Sequence, residues 1–354
     1  MSAETSAWLN TRTAVGYTLK RGTAWHYRQA DQQGAGNHFP GPIPLEHAVA
    51  LLNSPSLTEG DYASTYLATR DGEPIVETIN DPTRKSIVRP RGAFGADDPG
   101  AVLGSHRSGY ALHPYGEWLL EYSERILGHA DGELAIGTCG ILKGGAVAWA
   151  QFEMPDNVTT ASGVALRPFF AATTSCDGSI ATGYMTGAQL IVCDNTLAAA
   201  DRAATADGTR VRIRHTSGSL DRIADVQEAL GLIVKVTDQY AAQIDALTLQ
   251  KVTPAQFDEF TKRWAPAASD SKVAQTKARN RRSQLRFHYE QDSRVEPWRG
   301  SKFGVLQAVN TWRHHSRGTK GGDSRFGRNQ HDFLKGQAAV ADRATLDLLH
   351  AVTA

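Results

Sequence analysis

The sequence predicts an α+β protein: a mainly antiparallel, curved sheet with a packed helix, then a helical C-terminal region. Three observations carry this. Short β-rich runs fill residues 60–216, separated by Asp-Gly, Asn-Asp-Pro and Asp-Asp-Pro-Gly, the turn chemistry of antiparallel strands. One amphipathic helix interrupts them after Pro114. Beyond residue 217 the apolar residues recur at helical rather than alternating spacing. The chain accordingly divides into an irregular arm with a short helix (1–59), a sheet domain (60–216) and a helical, basic region (217–354).

In order, Trp25-His26 reads as an aromatic anchor in an irregular lead-in, followed by Gly- and Pro-rich residues. Pro44 opens a short helix with Leu45, Val49 and Leu52 on one face. Residues 62–112 read as short strands, with breaks at Asp71-Gly72 and Asn80-Asp81-Pro82 and a turn at Ser108-Gly109. The helix after Pro114 places Trp118, Leu119, Tyr122, Ile126 and Leu127 at helical spacing and stops at Gly128. GTCGIL and AVAWAQFEM flank Lys143-Gly144-Gly145 as a hairpin. Strands come next at 164–172, 180–186 and 188–192. Ser219 can cap a helix running to Leu249, and Thr253-Pro254-Ala255-Gln256 spells a capping box with Pro at the first helical position. A basic helix near 271–292, a helix from Lys302 to His315 and a C-terminal helix from Asn329 to Val352 complete the reading.

Composition narrows the function classes. Apolar residues make up 41% of the 354, enough for a sizeable core. Cys139, Cys176 and Cys193 are odd in number and lack C-x-x-C spacing, which argues against a disulfide framework and fits a reducing cytoplasm. There is no basic segment leading into an apolar run at the N-terminus, and no apolar run of membrane-spanning length, so neither a signal peptide nor a membrane partner is expected. Charge is uneven: residues 1–200 hold 13 basic and 20 acidic side chains, residues 201–354 hold 25 and 17. Between Asp270 and Gln330 the balance is 14 basic to 5 acidic, which suits a polyanion, with a solvated helical face as the plain alternative.

Unusual side chains concentrate between Thr173 and Thr216. Cys176, Asp177, Cys193, Asn195 and His215 offer a polar set for hydrolytic or nucleotide-processing chemistry, with His106, His113 and His26 as further imidazoles. The spacing of the cysteines and His215 matches no zinc finger or ribbon, so no metal and no cofactor is expected. Cys193 reads equally as a strand end, with Asp194 or Asn195 capping a short helix after it. On a strand, Arg210, Arg212 and Arg214 project from one face while Val211 and Ile213 turn inward. Phosphates are a common reason to gather three arginines, and an ion-pair ladder is the other. Lys277, Arg279, Arg281, Arg282 and Arg286 lie among Phe287, His288 and Tyr289, with Trp298 and Trp312 beyond. This mixture suits unpaired bases, although any single aromatic is more often a packing residue.

Three segments, Arg89 to Tyr110 with its Val-Leu-Gly-Ser, the CDGS…VCDNTL…RHT series at 176–216, and FGVLQAVNTWRHHSRG at 303–318, together resemble the phage/plasmid-like proteins carrying the domain of unknown function 932. The resemblance implies a mobile-element setting and a bacterial cytoplasm, and no established activity. Where that family tends to have a His before the Asp-Gly, this chain has Cys176, so a role needing an imidazole there is not carried over.

The expected function is therefore nucleic-acid binding, single-stranded DNA first, in recombination or replication. Arg210, Arg212, Arg214, His215, Lys277, Arg279, Arg281, Arg282 and Arg286 are the contacts, and no catalytic chemistry is required. A homo-oligomer would multiply a weak contact along a strand. The alternatives are an enzyme on the 176–215 polar residues and a module that binds a host protein.

Overall fold

The computed structural model describes residues 11–18, 36–127, 134–154, 158–190, 196–197, 210–216, 233–318, 328 and 337–354. Its first half is built on two antiparallel sheets. The larger holds β1 (Thr13–Val15), β5 (Ala135–Leu142), β6 (Val147–Glu153), β8 (Ala165–Ser175), β9 (Thr182–Leu190) and β10 (Thr196–Leu197) in that order. There β7 (Val158–Thr159) pairs with β8, and β11 (Arg210–Ile213) pairs with β9. The smaller runs β2 (Thr58–Arg70), β3 (Glu73–Arg89), β4 (Ala101–Arg107). The architecture is α+β, as the turn chemistry predicts.

The β5–β6 hairpin closes through a 3-10 turn at Lys143–Gly145. Alternation then sorts β6 into two layers: Ala148, Ala150 and Phe152 face one core, Val147 and Trp149 the other, and the whole strand is buried. The first core is covered by α1 (Leu45–Asn53), through Ala48, Leu51 and Leu52. It is also covered by a π-helical turn, Glu117–Glu121, that leads into α2 (Tyr122–Leu127) and contributes Trp118, Leu119 and Leu120. On β6 and β8 the buried Glu153 carboxylate pairs with Arg167 at 3.3 Å and accepts from Gln151 at 2.9 Å.

Two strand boundaries differ from the sequence reading. Asn80-Asp81-Pro82 does not end a strand: β3 runs through it, and pairing with β2 shifts register between Asp61 and Ala63. Asp81 accepts from the Thr83 backbone at 2.9 Å and its hydroxyl at 2.6 Å, holding the bulge in which Pro82 lacks no needed N–H. Likewise β9 continues through Gly187, joining two segments read as separate.

The helical region docks on the sheet through α3 (Ile233–Leu249). Ile244 and Leu247 pack on Val164, Leu166, Phe303 and Leu306. Asp245 accepts from the backbone N–H groups of Ala161 (3.1 Å) and Ser162 (2.8 Å), tying α3 to the turn before β8. A second core gathers α4 (Pro254–Trp264), α5 (Lys272–Gln291), α6 (Lys302–Thr311) and α7 (Gln337–Thr353) around Phe257, Phe260, Leu285, Tyr289, Val309, Trp312 and Leu349. The Thr253–Gln256 capping box is present in full, and Ser271 and Ser301 cap α5 and α6. Trp25-His26 and residues 219–232 of the expected Ser219 helix lie outside the described residues. No helix among the described residues is long and apolar enough to cross a membrane.

Candidate nucleic-acid interface

On β11, period-2 alternation gives the expected outcome where it is described: Ile213 is fully buried, and Arg212 and Arg214 are exposed. Arg210 is in register with Met185, and the side chains of Arg210 and Val211 are outside the described set. Arg212 sits opposite Gly183, so no side chain on the neighbouring strand faces it, and it has no ion-pair partner among the described residues.

His215, two residues beyond Ile213, turns inward. It belongs to a column of five stacked rings: His106 on Tyr110 (centroids 3.8 Å apart), Tyr110 on His215 (4.8 Å), His215 on His113 (3.9 Å) and His113 on Trp118 (3.6 Å). His215 Nδ1 donates to the Ala111 carbonyl at 3.1 Å, leaving Nε2 to accept from the Thr174 or Thr182 hydroxyl (3.3 and 3.2 Å). His113 Nδ1 lies 2.7 Å from Thr182 Oγ1, and its Nε2 has no partner among the described residues. Protonation at Nδ1 therefore leaves only a lone pair unmatched, the cheaper orphan. Burial pushes His113 down to about 3, with His215 adding to the shift; burial likewise lowers His215 to about 4. Both rings are neutral at pH 7, so His215 supplies a stacking surface and hydrogen bonds rather than a cation for phosphate.

The remaining 176–215 residues have separate roles. The Cys176 thiol is wholly buried, receives the Tyr115 hydroxyl at 3.5 Å, and is pushed up to about 11, chiefly by burial. A thiol held neutral in this way is a poor nucleophile. Its carbonyl accepts from His106 Nε2 at 2.6 Å. Asp177 caps the next turn, accepting from the Ser179 N–H at 2.8 Å and meeting Lys143 at 3.3 Å. Burial opposes its ionisation, but hydrogen bonds from Ser179 and Ser175 outweigh burial and keep the carboxyl below its usual range. Cys193 and Asn195 lie outside the described residues. No group of three or more His, Cys, Asp and Glu among the described residues could hold a metal ion. In the column the ring planes are nearly parallel, so their lone pairs do not converge on a point.

The basic helix is α5, which buries Ala278, Leu285, His288 and Tyr289 and turns the opposite side to solvent. Its cations are not equivalent. Arg286 pairs with Asp258 and Glu290. Arg282 donates to the Ala265 carbonyl at 2.9 Å. Arg281 lies over the Trp312 ring at 5.1 Å and near Trp264 at 5.8 Å. Lys277 and Arg279 are exposed and have no carboxylate partner among the described residues. Thr276, Asn280, Ser283 and Phe287, a residue 59% exposed, form one outward line, and Lys277 and Arg279, about 200° apart around the axis, flank it on either side. Tyr289, Trp298 and Trp312, by contrast, are buried as core residues.

The two basic groups attach to the sheet at different places. Arg212 pairs at Gly183, opposite Thr173, whereas the helices dock where Leu166 meets Leu190. Seven residues of strand, about 24 Å, separate these points. The ring column is the part of this region that sequence reasoning missed as a unit. Its local signal was the spacing of His106, Tyr110, His113 and Trp118 around the Ser108-Gly109 turn.

The ring column, β11 and α5 all fall inside one known family unit. Residues 102–334, from the start of β4 through the helical region, match the family model described as Domain of unknown function (DUF932). No curated protein and no solved structure matches the chain. The match begins at the strand that carries His106 and spans β11, α5 and the 303–318 segment, and on this ground the chain belongs to the DUF932 family.

Proposed function

We propose that this chain binds single-stranded nucleic acid, DNA first, along the outward face of α5, as an accessory protein of a phage or plasmid element acting in recombination or replication. The observation that carries the reading is Phe287. A phenylalanine 59% exposed on a helix gains nothing in water, yet it continues the exposed line of Thr276, Asn280 and Ser283, with the exposed Lys277 and Arg279 on opposite flanks of that line. Cations that track a phosphate backbone beside a ring on which a base can stack are the usual elements of sequence-tolerant single-strand binding. Thr276, Asn280 and Ser283 add neutral hydrogen-bonding groups between them. Arg212 on β11 and Arg214 just beyond it provide a second, separate cationic site for the same strand.

Fluorescence anisotropy with a labelled oligothymidine tests this. Binding should tighten steeply as salt falls. Removing a base stack by Phe287→Ala should weaken it by roughly 5- to 100-fold. Absence of binding to single- and double-stranded oligonucleotides at about 50 mM salt, where phosphate contacts are strong, would refute the reading. The enzyme alternative finds less support. Cys176, Asp177 and His215 act as core, turn cap and stack member.

A further inference from the structure

The C-terminal end of α5 carries a chain of three polar side chains on the buried side of the helix. His288 and Asp292 stand four residues apart, so one lies above the other, and His288 Nδ1 donates to Asp292 Oδ2 at 3.0 Å. A carboxylate can only accept, so this bond fixes the proton on Nδ1 and leaves a lone pair on Nε2 of the neutral ring. That lone pair accepts from the Ser316 hydroxyl at 2.6 Å, 28 residues further along the chain. Asp292 is also held by Arg294, which donates through Nε at 2.8 Å, Nη2 at 2.6 Å and its backbone N–H at 3.0 Å. Burial opposes ionisation of this carboxyl, but hydrogen bonds from Arg294 and His288 hold it well below the usual carboxylate range. The His288 and Asp292 side chains are only 8% and 9% exposed. Ser316 is half-buried, at the end of the π-helical turn Trp312–Ser316 and two residues before the exposed Gly318.

We propose that Ser316 is a nucleophile with His288 as its general base and Asp292 as the group that orients the base, in a site that cleaves uncharged carboxylic esters. Hydroxyl, imidazole and carboxylate linked in this order, with the tautomer set by the carboxylate, make a serine reactive on many unrelated folds. In the first step Ser316 Oγ bonds to the ester carbonyl carbon while its proton passes to His288 Nε2. The bond from that carbon to the alcohol oxygen then breaks, and the leaving alcohol takes the proton. Water, deprotonated by the same nitrogen, releases the acid and restores Ser316, so the sum is ester plus water to acid plus alcohol. The nearby charges select the substrate class. Arg294 is committed to Asp292, and Arg328 donates to the carbonyls of Arg313, Arg317 and Gly318, fixing the segment around Ser316. These guanidinium groups hold the protein's own oxygens, and an uncharged electrophile matches that setting better than a phosphate does. None of the three residues is among the side chains assigned to nucleic acid, so either activity can be absent without the other.

The test uses the full chain with p-nitrophenyl acetate as probe. Absorbance follows release of p-nitrophenol, and mass spectrometry of acid-quenched, digested protein maps the acetyl group. The wild-type chain should carry acetyl on Ser316 and release p-nitrophenol faster than Ser316→Ala. His288→Gln should slow acetylation of Ser316 by about 10²- to 10⁴-fold. Asp292→Asn should lower the limiting rate by up to about 10⁴-fold without raising the ester concentration at half that rate, because the tautomer and not binding is lost. Near-ultraviolet dichroism shows whether each variant is folded, and the acetyl mapping on wild type needs no variant. A wild-type chain that gains no acetyl on Ser316 overturns the proposal. So does a Ser316→Ala chain that hydrolyses the ester like wild type, or acetylation of Ser316 that is unchanged in His288→Gln.

Discussion

His113 lies flat on His215, with ring centroids 3.9 Å apart and planes 17° from parallel, although 102 positions separate them in the chain. The Thr182 hydroxyl bonds both rings and joins Thr174 at 2.7 Å, so the contact pins the start of β9 to the loop before the π-helical turn. Neither imidazole can take up a proton without losing this arrangement. The pair is thus a device of stability, and acid is its weakness.

Linkage sets the sign of the effect. Both pKa values are lowered in the folded state, to about 3 and about 4, so the unfolded chain binds more protons once pH falls below about 6.5. The stabilisation is intact above that value and is lost as pH falls toward 4. After discounting for partial solvent access, roughly 3 kcal/mol should disappear over this window. Denaturant unfolding at stepped pH measures it, and His113→Phe, which keeps a stacked ring, should remove about half of the step.

Gly104 sits where a side chain has no room: an added Cβ would meet the Cys176 carbonyl and lie 2.6 Å from His106 Nε2. Gly104→Ala should cost about 2–4 kcal/mol, since backbone must shift to make space. Thermal unfolding would show it, with a change in near-ultraviolet dichroism from the displaced Tyr110–His106 stack.

Glu153 and Arg167 are buried to 0% and 2% side-chain exposure. Removing one charge leaves the other desolvated, so Glu153→Gln should destabilise by about 3–5 kcal/mol. Urea unfolding checks the value, and loss of less than about 1 kcal/mol would show that the pair is not a structural ion pair.

Asp245 is the hydrogen-bonded tie between α3 and the turn at Ala161 and Ser162. Asp245→Ala should cost about 1–2 kcal/mol, the usual value of a lost cap, and should speed proteolytic cleavage between sheet and helices.

The elements that local chemistry decides were legible in the sequence. The capping box at Thr253, the hairpin at Lys143-Gly144-Gly145 and the inward turn of Ile213 each depend on a few neighbouring residues. The features that were not legible depend on distant pairing. Pro82 reads as a breaker until β3 is seen to bulge there against β2, which leaves Pro82 out of the ladder. Tyr289, Trp298 and Trp312 stay open between base stacking and packing in the sequence, because aromatic residues among cations look alike whether they face the core or water, and only helix packing separates them from Phe287. His215 reads as a nucleic-acid contact or a member of a polar site until the column shows its ring enclosed between Tyr110 and His113.

If α5 meets a phosphate backbone, oligothymidine binding depends on salt through Lys277 and Arg279. The comparison is between the full-length wild-type chain and Lys277→Ala with Arg279→Ala. Losing two phosphate contacts should lower affinity at every salt concentration and reduce the slope of log affinity against log salt by about 1.4. An unchanged slope in the double variant, or no binding by the wild-type chain at about 50 mM salt, would show that α5 does not meet a phosphate backbone.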